Sequence, residues 1–293
     1  MENLTSGVSA GSGGQWTSAA QWTSWTNLIL ALVLLSLPVS ASVAFDHSHA
    51  AWTMLLKRHV VLIDGGKSSQ VDYAGLAKER TSLQTYLGSL SAVSQAEFDS
   101  WPKPRQLAFL INAYNAFTVE LILGKYPHLE SIRDLGNIVF NSPWKQKFFT
   151  LFGERRYLDW IEHEAIRKPG VYDDPRIHFA VNCASVGCPM LREEAFVGER
   201  LEAQLEQQTR RFLADRTRNR YEPKSATLLV SQIFDWYGQD FSAGYRDVKS
   251  LRQFLGTYAD LLASSPAEQA MLRQHLVGVD FIEYDWALNS VPR

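Results

Sequence analysis

The two cysteines are the most reactive side chains in this sequence. Cys183 and Cys188 are the chain's only cysteines, and both lie in the stretch HFAVNCASVGCP, residues 178–189. One thiol of such a pair can act as a nucleophile if a nearby histidine or a helix N-terminus lowers its pKa. Alternatively, the pair can close a small disulfide loop, in which Gly187 is able to adopt the positive φ of a tight turn. The spacing does not decide between these chemistries.

Two histidines are candidates for the base that would activate Cys183. Hydrophobic and polar residues alternate in RIHFAVN, residues 176–182, which predicts a strand. In a strand, His178 and Cys183 point to opposite faces, so they meet only if the chain bends sharply after residue 182. His163, in the stretch DWIEHEAIR, is therefore at least as good a candidate. For either histidine, a buried structural role is the alternative interpretation.

The same four side chains also suggest a metal site. His163, His178, Cys183 and Cys188 form a two-nitrogen, two-sulfur set that zinc would accept. However, the spacing of the cysteines is longer than that of the usual zinc motifs. We therefore predict neither a metal nor another cofactor.

Further polar residues could belong to a binding site. Glu162 is adjacent to His163, although a capping box with Asp159 would explain it equally well. Asn112 and Asn115 lie one turn apart on an apolar helix, where they either line a cleft or hold a loop backbone. Three successive residues, Asp235, Trp236 and Tyr237, form a polar-aromatic cluster of a kind found in binding pockets.

The elements that would position these residues are mostly helices. We expect helices over residues 49–63, 72–90, 105–124, 159–168, 191–213 and 248–262, and a further short helix that starts at the capping residue Ser94. Besides residues 176–182, TLLVS and VDFIEYDWAL are expected to form strands. The absence of a regular strand–helix alternation argues against a Rossmann-type sheet. These patterns predict an α+β fold, a mainly helical single domain with a small sheet, over residues 45–293.

The N-terminal 44 residues differ from the rest of the chain. The apolar run Leu28–Leu37 is too short to cross a bilayer, which requires about 20 residues. Pro38 interrupts it, and Val39–Ala41 and Ser42–Ala44 both match a signal-peptidase site. We expect either a cleaved signal peptide or an uncleaved anchor, and a periplasmic or secreted protein. In such an oxidising compartment, neighbouring cysteines tend to form a disulfide.

Composition limits the classes of partner. Of the 293 residues, 46% are hydrophobic and 20% are charged, which is typical of a globular protein, and the formal net charge is −2. Because no basic patch stands out, nucleic acid is not an expected partner. We expect a small-molecule or peptide ligand, and membrane contact only through the N-terminal segment.

Five motifs occur in an order that resembles the bacterial branch of a known family. They are LINAYNAFTVELIL, SPWKQKFFTLFG, LDWIEHEAIR, DPRIHFAVNCASVGCP and SQIFDWYGQDF. The family is the one called domain of unknown function 547, and the resemblance covers Ala50–Phe241, with a C-terminal helical extension after it. It implies an exported protein and a common site for the matching residues, which are Asn112, Asn115, Glu162, His163, His178, Cys183, Cys188 and Pro189.

The resemblance does not imply a reaction. The combination of a cysteine at a strand end, a histidine and a polar helix is also similar to that in thiol enzymes of the papain and transglutaminase type. The function we expect is a thiol-dependent hydrolase or acyl-transfer enzyme, with Cys183 as nucleophile and His163 or His178 as base. Asn112 or Asn115 would orient the base or bind the oxyanion. The alternative is a non-catalytic binding or scaffold domain stabilised by a Cys183–Cys188 disulfide.

Overall fold

The computed structural model describes residues 44–136 and 142–292, so the expected signal segment lies outside the described residues except for Ala44. Ala44–Arg293 group into one compact unit. Its first half contains α1 (Ala50–His59), β1 (Val60–Ile63), β2 (Ser68–Val71), α2 (Tyr73–Lys78), α3 (Arg80–Ala92), α4 (Gln95–Asp99) and α5 (Lys103–Leu123). The second half contains β3 (Phe149–Leu151), β4 (Glu154–Arg156), α6 (Leu201–Ala214), β5 (Arg220–Glu222), β6 (Thr227–Ser231), α7 (Ile233–Trp236), α8 (Leu251–Thr257), α9 (Ala259–Leu262), α10 (Pro266–Arg273) and β7 (Gly278–Ile282).

The α+β, mainly helical fold class is confirmed, but within the described residues the strands form three small sheets rather than one. β1 pairs with β2 and β3 pairs with β4, each as an antiparallel hairpin. In the third sheet, β6 lies between antiparallel β5 and parallel β7. TLLVS and the first part of VDFIEYDWAL are strands as expected, whereas both hairpins of the first two sheets were missed.

The predicted helix over residues 49–63 ends early. α1 stops at His59, and the next four residues form β1 instead. The reason is the run VVLI, because β-branched side chains favour a strand over a helix. The predicted helix over 72–90 is likewise divided into α2 and α3, and Ser94 caps α4 as expected, accepting a hydrogen bond from the backbone N–H of Glu97.

The apolar helix α5 forms the centre of the fold. Pro102 and Pro104 stand at its start, where a missing N–H costs no intrahelical bond, and Gly124 ends it. Among the described residues, it is the one helix long and apolar enough to cross a membrane. However, 89% of its most apolar window is buried against the rest of the domain. It is therefore a core helix that carries Asn112 and Asn115 toward the loops of the second half.

The strand predicted over residues 176–182 is wrong. Pro175–Phe179 forms a 3₁₀-helix, and the side chain of Asp174 caps it by accepting a hydrogen bond from the N–H of Arg176. Ile177, His178 and Phe179 are all buried, so this segment has no exposed face. The argument that His178 and Cys183 must point to opposite faces therefore fails.

Predicted helices in the second half also have different bounds. The segment DWIEHEAIR contains a π-helix, Trp160–Ile166, and the Asp159 side chain makes no cap hydrogen bond. The helix expected from residue 191 begins only at Leu201, and the helix expected over 248–262 is divided into α8 and α9.

The segment that follows β7 connects the two halves of the molecule. Residues 284–291, the C-terminal segment, run beside the loop that contains both cysteines. The carbonyl oxygen of Asp285 accepts a 2.8 Å hydrogen bond from the N–H of Gly187. The carbonyl oxygen of Asn289 accepts another of 2.8 Å from the N–H of Val71 in β2. The cysteine loop is thus supported by elements far from it in sequence.

Candidate functional site

A cavity of about 320 Å³ brings together most of the residues that the sequence singled out. Seven of the ten predicted site residues line it: Glu162, His163, His178, Cys183, Cys188, Trp236 and Tyr237. The other three, Asn112, Asn115 and Asp235, do not line it. The family motifs therefore converge on one place, although they are distant in sequence.

The cysteine loop, residues 182–189, is fixed by hydrogen bonds across its base. The Asn182 side chain donates to the carbonyl oxygen of Pro189 (2.7 Å) and accepts from the N–H of Ala184 (3.0 Å). Ala184 has φ 64°, a left-handed conformation that costs about 1 kcal/mol for a residue with a side chain. Gly187 does not have a positive φ. A Cβ there would lie 3.0 Å from the backbone of Asp285, so glycine is required for close approach.

Cys183 is the more exposed of the two thiols and carries the more acidic proton. A hydrogen bond with the Cys188 side chain lowers its pKa to about 7, against the opposing effect of burial. The Tyr284 hydroxyl, 3.1 Å from Cys183 Sγ, and Ser185 act in the same direction. A substantial fraction of Cys183 is therefore thiolate at neutral pH, which is the form that acts as a nucleophile.

Cys188 is buried, and burial raises the pKa of its thiol well above the ordinary value. Its Sγ accepts a 2.8 Å hydrogen bond from the N–H of Cys183, and both cysteines are free thiols in this structure. The disulfide expected in the alternative interpretation is thus not formed here. Cys188 instead holds the backbone and the thiol of Cys183.

His178 is oriented by a carboxylate. Its Nε2 lies 2.8 Å from Asp240 Oδ2, and its ring stacks on Tyr237 with centroids 4.0 Å apart. Although burial opposes ionisation of Asp240, hydrogen bonds from His178 and Arg167 hold its pKa well below the usual range. Burial lowers the pKa of His178. A neutral His178 therefore has its proton on Nε2, toward Asp240, and an unprotonated Nδ1.

His163 has a different protonation pattern. Its Nδ1 lies 2.7 Å from Nη1 of Arg167, which can only donate, so Nδ1 accepts and the proton is on Nε2. The same Arg167 donates to both carboxylate oxygens of Asp240, at 2.6 and 3.0 Å. Since Nδ1 of His163 is occupied, His178 is the better placed of the two histidines to take up a proton.

Glu162 and Asp159 place two carboxylates in the cavity. Glu162 is only 6% exposed, and its Oε1 accepts a 2.7 Å hydrogen bond from the Tyr237 hydroxyl. Burial raises the pKa of Asp159, and the charge of Glu162 adds to this effect. Because Asp159 makes no cap hydrogen bond, the capping-box interpretation of Glu162 is not supported.

The two asparagines of α5 bind loop backbones. Asn115 donates to the carbonyl oxygen of Ala180 (2.9 Å) and accepts from the N–H of Asn182 (2.8 Å). Asn112 forms the same pair of bonds with the carbonyl oxygen and the N–H of Phe196, at 2.7 and 3.0 Å. Neither amide is available to bind an oxyanion, which corrects the expected role. Asn115 instead fixes the chain that leads into the cysteine loop.

Asp235 lies apart from the cavity. It is exposed, and its carboxylate accepts a 2.6 Å hydrogen bond from the side chain of Gln232. Its neighbours Trp236 and Tyr237 do line the cavity. In a short helix, adjacent residues point in different directions, which separates the three members of this cluster.

Several cavity residues were missed from the sequence. Tyr284, Trp286, Trp144 and Tyr114 line the cavity, and Asp240 orients His178. Asp240, Tyr114 and Trp144 had a usable signal, because they lie inside the motifs SQIFDWYGQDF, LINAYNAFTVELIL and SPWKQKFFTLFG. Tyr284 approaches the thiol only through the pairing of β7 with β6, which no local pattern reveals.

The possible metal set is not assembled. Over residues 44–136 and 142–292, no group of three or more His, Cys, Asp and Glu side chains is arranged to hold a metal ion. His178 and His163 are each already bonded through one ring nitrogen, to Asp240 and Arg167.

Comparison with known proteins places the central part of the site in a family. A search of curated proteins and a search of solved structures found no match. Residues 98–213, however, match the model of a protein family. The match extends from α4 to α6 and includes α5, His163, His178 and the cysteine loop, whereas Asp240 and Tyr284 lie outside it. The matched residues are similar to the family described as protein of unknown function, DUF547.

Proposed function

We propose that this protein is a thiol-dependent hydrolase or acyl-transfer enzyme. The observation that carries the proposal is one shared cavity, which is lined by both an acidified Cys183 thiol and a histidine oriented by Asp240. A nucleophile, a base and a group that orients the base are the parts that covalent acyl transfer requires.

In the proposed reaction, Cys183 Sγ attacks the carbonyl carbon of an ester or amide while His178 Nδ1 takes up the thiol proton. Asp240 stabilises the imidazolium that forms. When the carbon–oxygen or carbon–nitrogen bond breaks, His178 returns the proton to the leaving group and a thioester remains on Cys183. Water, or an acceptor nucleophile in acyl transfer, then attacks the thioester and releases Cys183.

We assign the oxyanion donor to Tyr114 rather than to the two asparagines. Its hydroxyl has no hydrogen-bond partner among the described residues, and the residue lines the cavity. Burial, together with the charges of Glu162 and Cys183, raises the pKa of Tyr114 well above its usual value. The phenol thus keeps its proton at neutral pH and can donate it to a developing oxyanion.

Acylation by 4-nitrophenyl acetate tests this proposal. We expect one acetyl group on Cys183, detected by mass spectrometry of peptides, and none in the Cys183→Ser variant. The His178→Ala variant should acylate about 100- to 10,000-fold more slowly, the usual contribution of a positioned base. Cys188→Ser is the matched control, since it removes the other thiol of the loop and should still acylate.

The scaffold alternative predicts a different result. If both serine variants lose stability to a similar extent and wild-type Cys183 takes up no acetyl group, the enzyme proposal is wrong. A His178→Ala variant that acylates at the wild-type rate would exclude His178 as the base.

We also propose that the protein is exported. The proposal rests on the apolar run Leu28–Leu37 and on the two small-residue sites that follow it. The mass of the protein recovered from outside the cytoplasm tests it: cleavage after Ala41 or Ala44 is expected. An intact N-terminus on protein in the cytoplasmic fraction would contradict export.

A further inference from the structure

One side of the cavity is a continuous aromatic surface. Four rings, which we call the aromatic wall, form it: Trp144, Trp236, Tyr284 and Trp286. Their centroids are 4.5 Å apart for Tyr284 and Trp286, and 5.7 Å apart for Trp236 and Trp286. Because the rings contact one another, they leave no cage between them and present a surface instead. Such a surface suits the apolar body of a ligand.

The cavity also contains an incompletely paired carboxylate. Glu162 is 6% exposed, and one of its oxygens accepts from Tyr237. The other oxygen has no hydrogen-bond partner within the described part of the chain. Burial of a carboxylate without a cationic partner is costly, and a positively charged ligand would relieve that cost.

The charged groups around the cavity do not supply this cation. Among the described residues that line it, none is a lysine or an arginine. Arg167 feels the charge of Glu162 but donates its hydrogen bonds to Asp240 and His163, and Lys145 is exposed near Asp159. The three carboxylates in and beside the cavity, those of Glu162, Asp159 and Asp240, therefore outnumber the two nearby cations. Any thiolate at Cys183 adds further negative charge.

The Glu162 carboxylate and the Cys183 thiol both affect the same two tyrosines of the cavity. Burial raises the pKa of Tyr237, and the charges of both Glu162 and Cys183 contribute to the rise. The same two charges act on Tyr114. Because Glu162 and Cys183 line the same cavity, one ligand there can contact both.

We propose that the cavity selects a cationic substrate: an ester or amide whose protonated amine pairs with Glu162 and Asp159, and whose apolar body packs on the aromatic wall. The substrate class rests on the proposed function for the reaction at Cys183, but the binding preference does not require that reaction. The two carboxylates exclude an anionic substrate of the same shape.

Binding to the Cys183→Ala variant tests the preference without turnover. Three probes share one aromatic body: 2-phenylethylammonium, 2-phenylethanol and 3-phenylpropionate. Quenching of tryptophan fluorescence, checked by titration calorimetry, gives the dissociation constants at neutral pH. We expect the ammonium to bind about tenfold or more tightly than the alcohol, as for other hydrogen bonds to a charged group, and the carboxylate to bind most weakly. Equal affinity for all three probes, or tighter binding of the carboxylate, would overturn the proposal.

Two substitutions then identify the groups that are responsible. Glu162→Gln preserves shape and the bond from Tyr237, so the preference for the ammonium over the alcohol should fall to the part that Asp159 contributes. Glu164→Gln is the matched control, because Glu164 lies two residues away, is exposed and binds Tyr157 rather than the cavity. A preference of unchanged size in Glu162→Gln would exclude Glu162 as a cation partner. If this variant does not fold, Asp159→Asn and the salt dependence of the wild-type preference test the same electrostatic contribution.

Failure of this inference can be distinguished from failure of the proposed function. Preferential binding of the ammonium with no acylation of Cys183 would contradict the enzyme and retain the cation site. Acylation of Cys183 with no preference among the three probes would retain the enzyme and overturn the cation site.

Discussion

The thiol of Cys183 lies 3.1 Å from the hydroxyl oxygen of Tyr284, although 101 residues separate them in sequence. Tyr284 follows β7, and parallel pairing with β6 brings it to the cavity. The acidity of the proposed nucleophile therefore depends on a hydrogen bond supplied by a different part of the fold.

Removal of the Tyr284 hydroxyl should make Cys183 less reactive. A hydrogen bond to a charged group contributes about 1.5 kcal/mol or more, so Tyr284→Phe should lower the thiolate fraction at pH 7 by up to about tenfold. The rate of alkylation by iodoacetamide, measured as a function of pH, reports this change. Tyr157→Phe is the control, because its hydroxyl binds the exposed Glu164 instead. An unchanged pH profile in Tyr284→Phe would show that the contact does not acidify the thiol.

The two asparagines of α5 offer a matched pair. Asn115→Ala and Asn112→Ala each leave a buried N–H and a buried carbonyl without a partner, so each should lower the free energy of unfolding by about 3 kcal/mol. Denaturant titration measures this loss. Only Asn115→Ala should also change the alkylation rate of folded Cys183, because Asn115 holds Asn182 at the start of the cysteine loop. Equal alkylation rates in the two variants would contradict this assignment.

Acid should destabilise the protein through a histidine outside the cavity. His49 is buried beside Tyr86, and burial lowers its pKa from 6.5 to about 4. Between these two values the unfolded state binds the proton and the folded state does not, so stability falls as the pH decreases. His49 alone should lower the free energy of unfolding by about 3 kcal/mol as the pH falls from 6.5 to 4. Denaturant titrations of His49→Gln should show a weaker pH dependence, whereas the exposed His128→Gln should match the wild type.

Mild oxidation should join the two thiols of the cysteine loop. The side chains of Cys183 and Cys188 already interact by a hydrogen bond, so their sulfur atoms are near enough to be joined. Glutathione disulfide would first form a mixed disulfide with Cys183 and release one glutathione thiol. The thiol of Cys188 would then attack the mixed disulfide and release the second glutathione. The protein would thereby lose two hydrogens, about 2 Da, and retain no glutathione. Mass spectrometry should find retained glutathione only in Cys188→Ser; stable glutathionylation of the wild type would contradict this sequence of steps.

Local patterns predicted the main helices and seven of the residues that line the cavity. The helical recurrence of apolar residues from Leu107 to Ile122 identified α5, because a buried helix needs such residues on its faces. The cap at Ser94 was also evident, since a hydroxyl and a glutamate at this spacing satisfy free backbone groups at a helix start. Two of the quoted motifs also supplied residues that line the same cavity: Glu162, His163, His178 and Cys183.

Tertiary contacts account for what the sequence could not show. The alternation in RIHFAVN indicated a strand, but Pro175 and the cap from Asp174 start a 3₁₀-helix that is buried on all sides. The role of Asn115 was left open, because helical spacing shows which face a residue occupies but not which backbone it meets. Tyr284 gave no signal, since its contact with Cys183 depends on the long-range pairing of two strands.

The distance in sequence between Cys183 and Tyr284 also sets a delay between the synthesis of the two residues. A ribosome that adds roughly 5–20 residues per second needs roughly 5–20 seconds to make the 101 residues between them. During that interval the new chain has both thiols but lacks the phenol and the Asp285 carbonyl that support the loop. The newborn polypeptide is thus chemically immature, because one of the groups that acidify Cys183 arrives only when late-made residues dock on a loop synthesised long before.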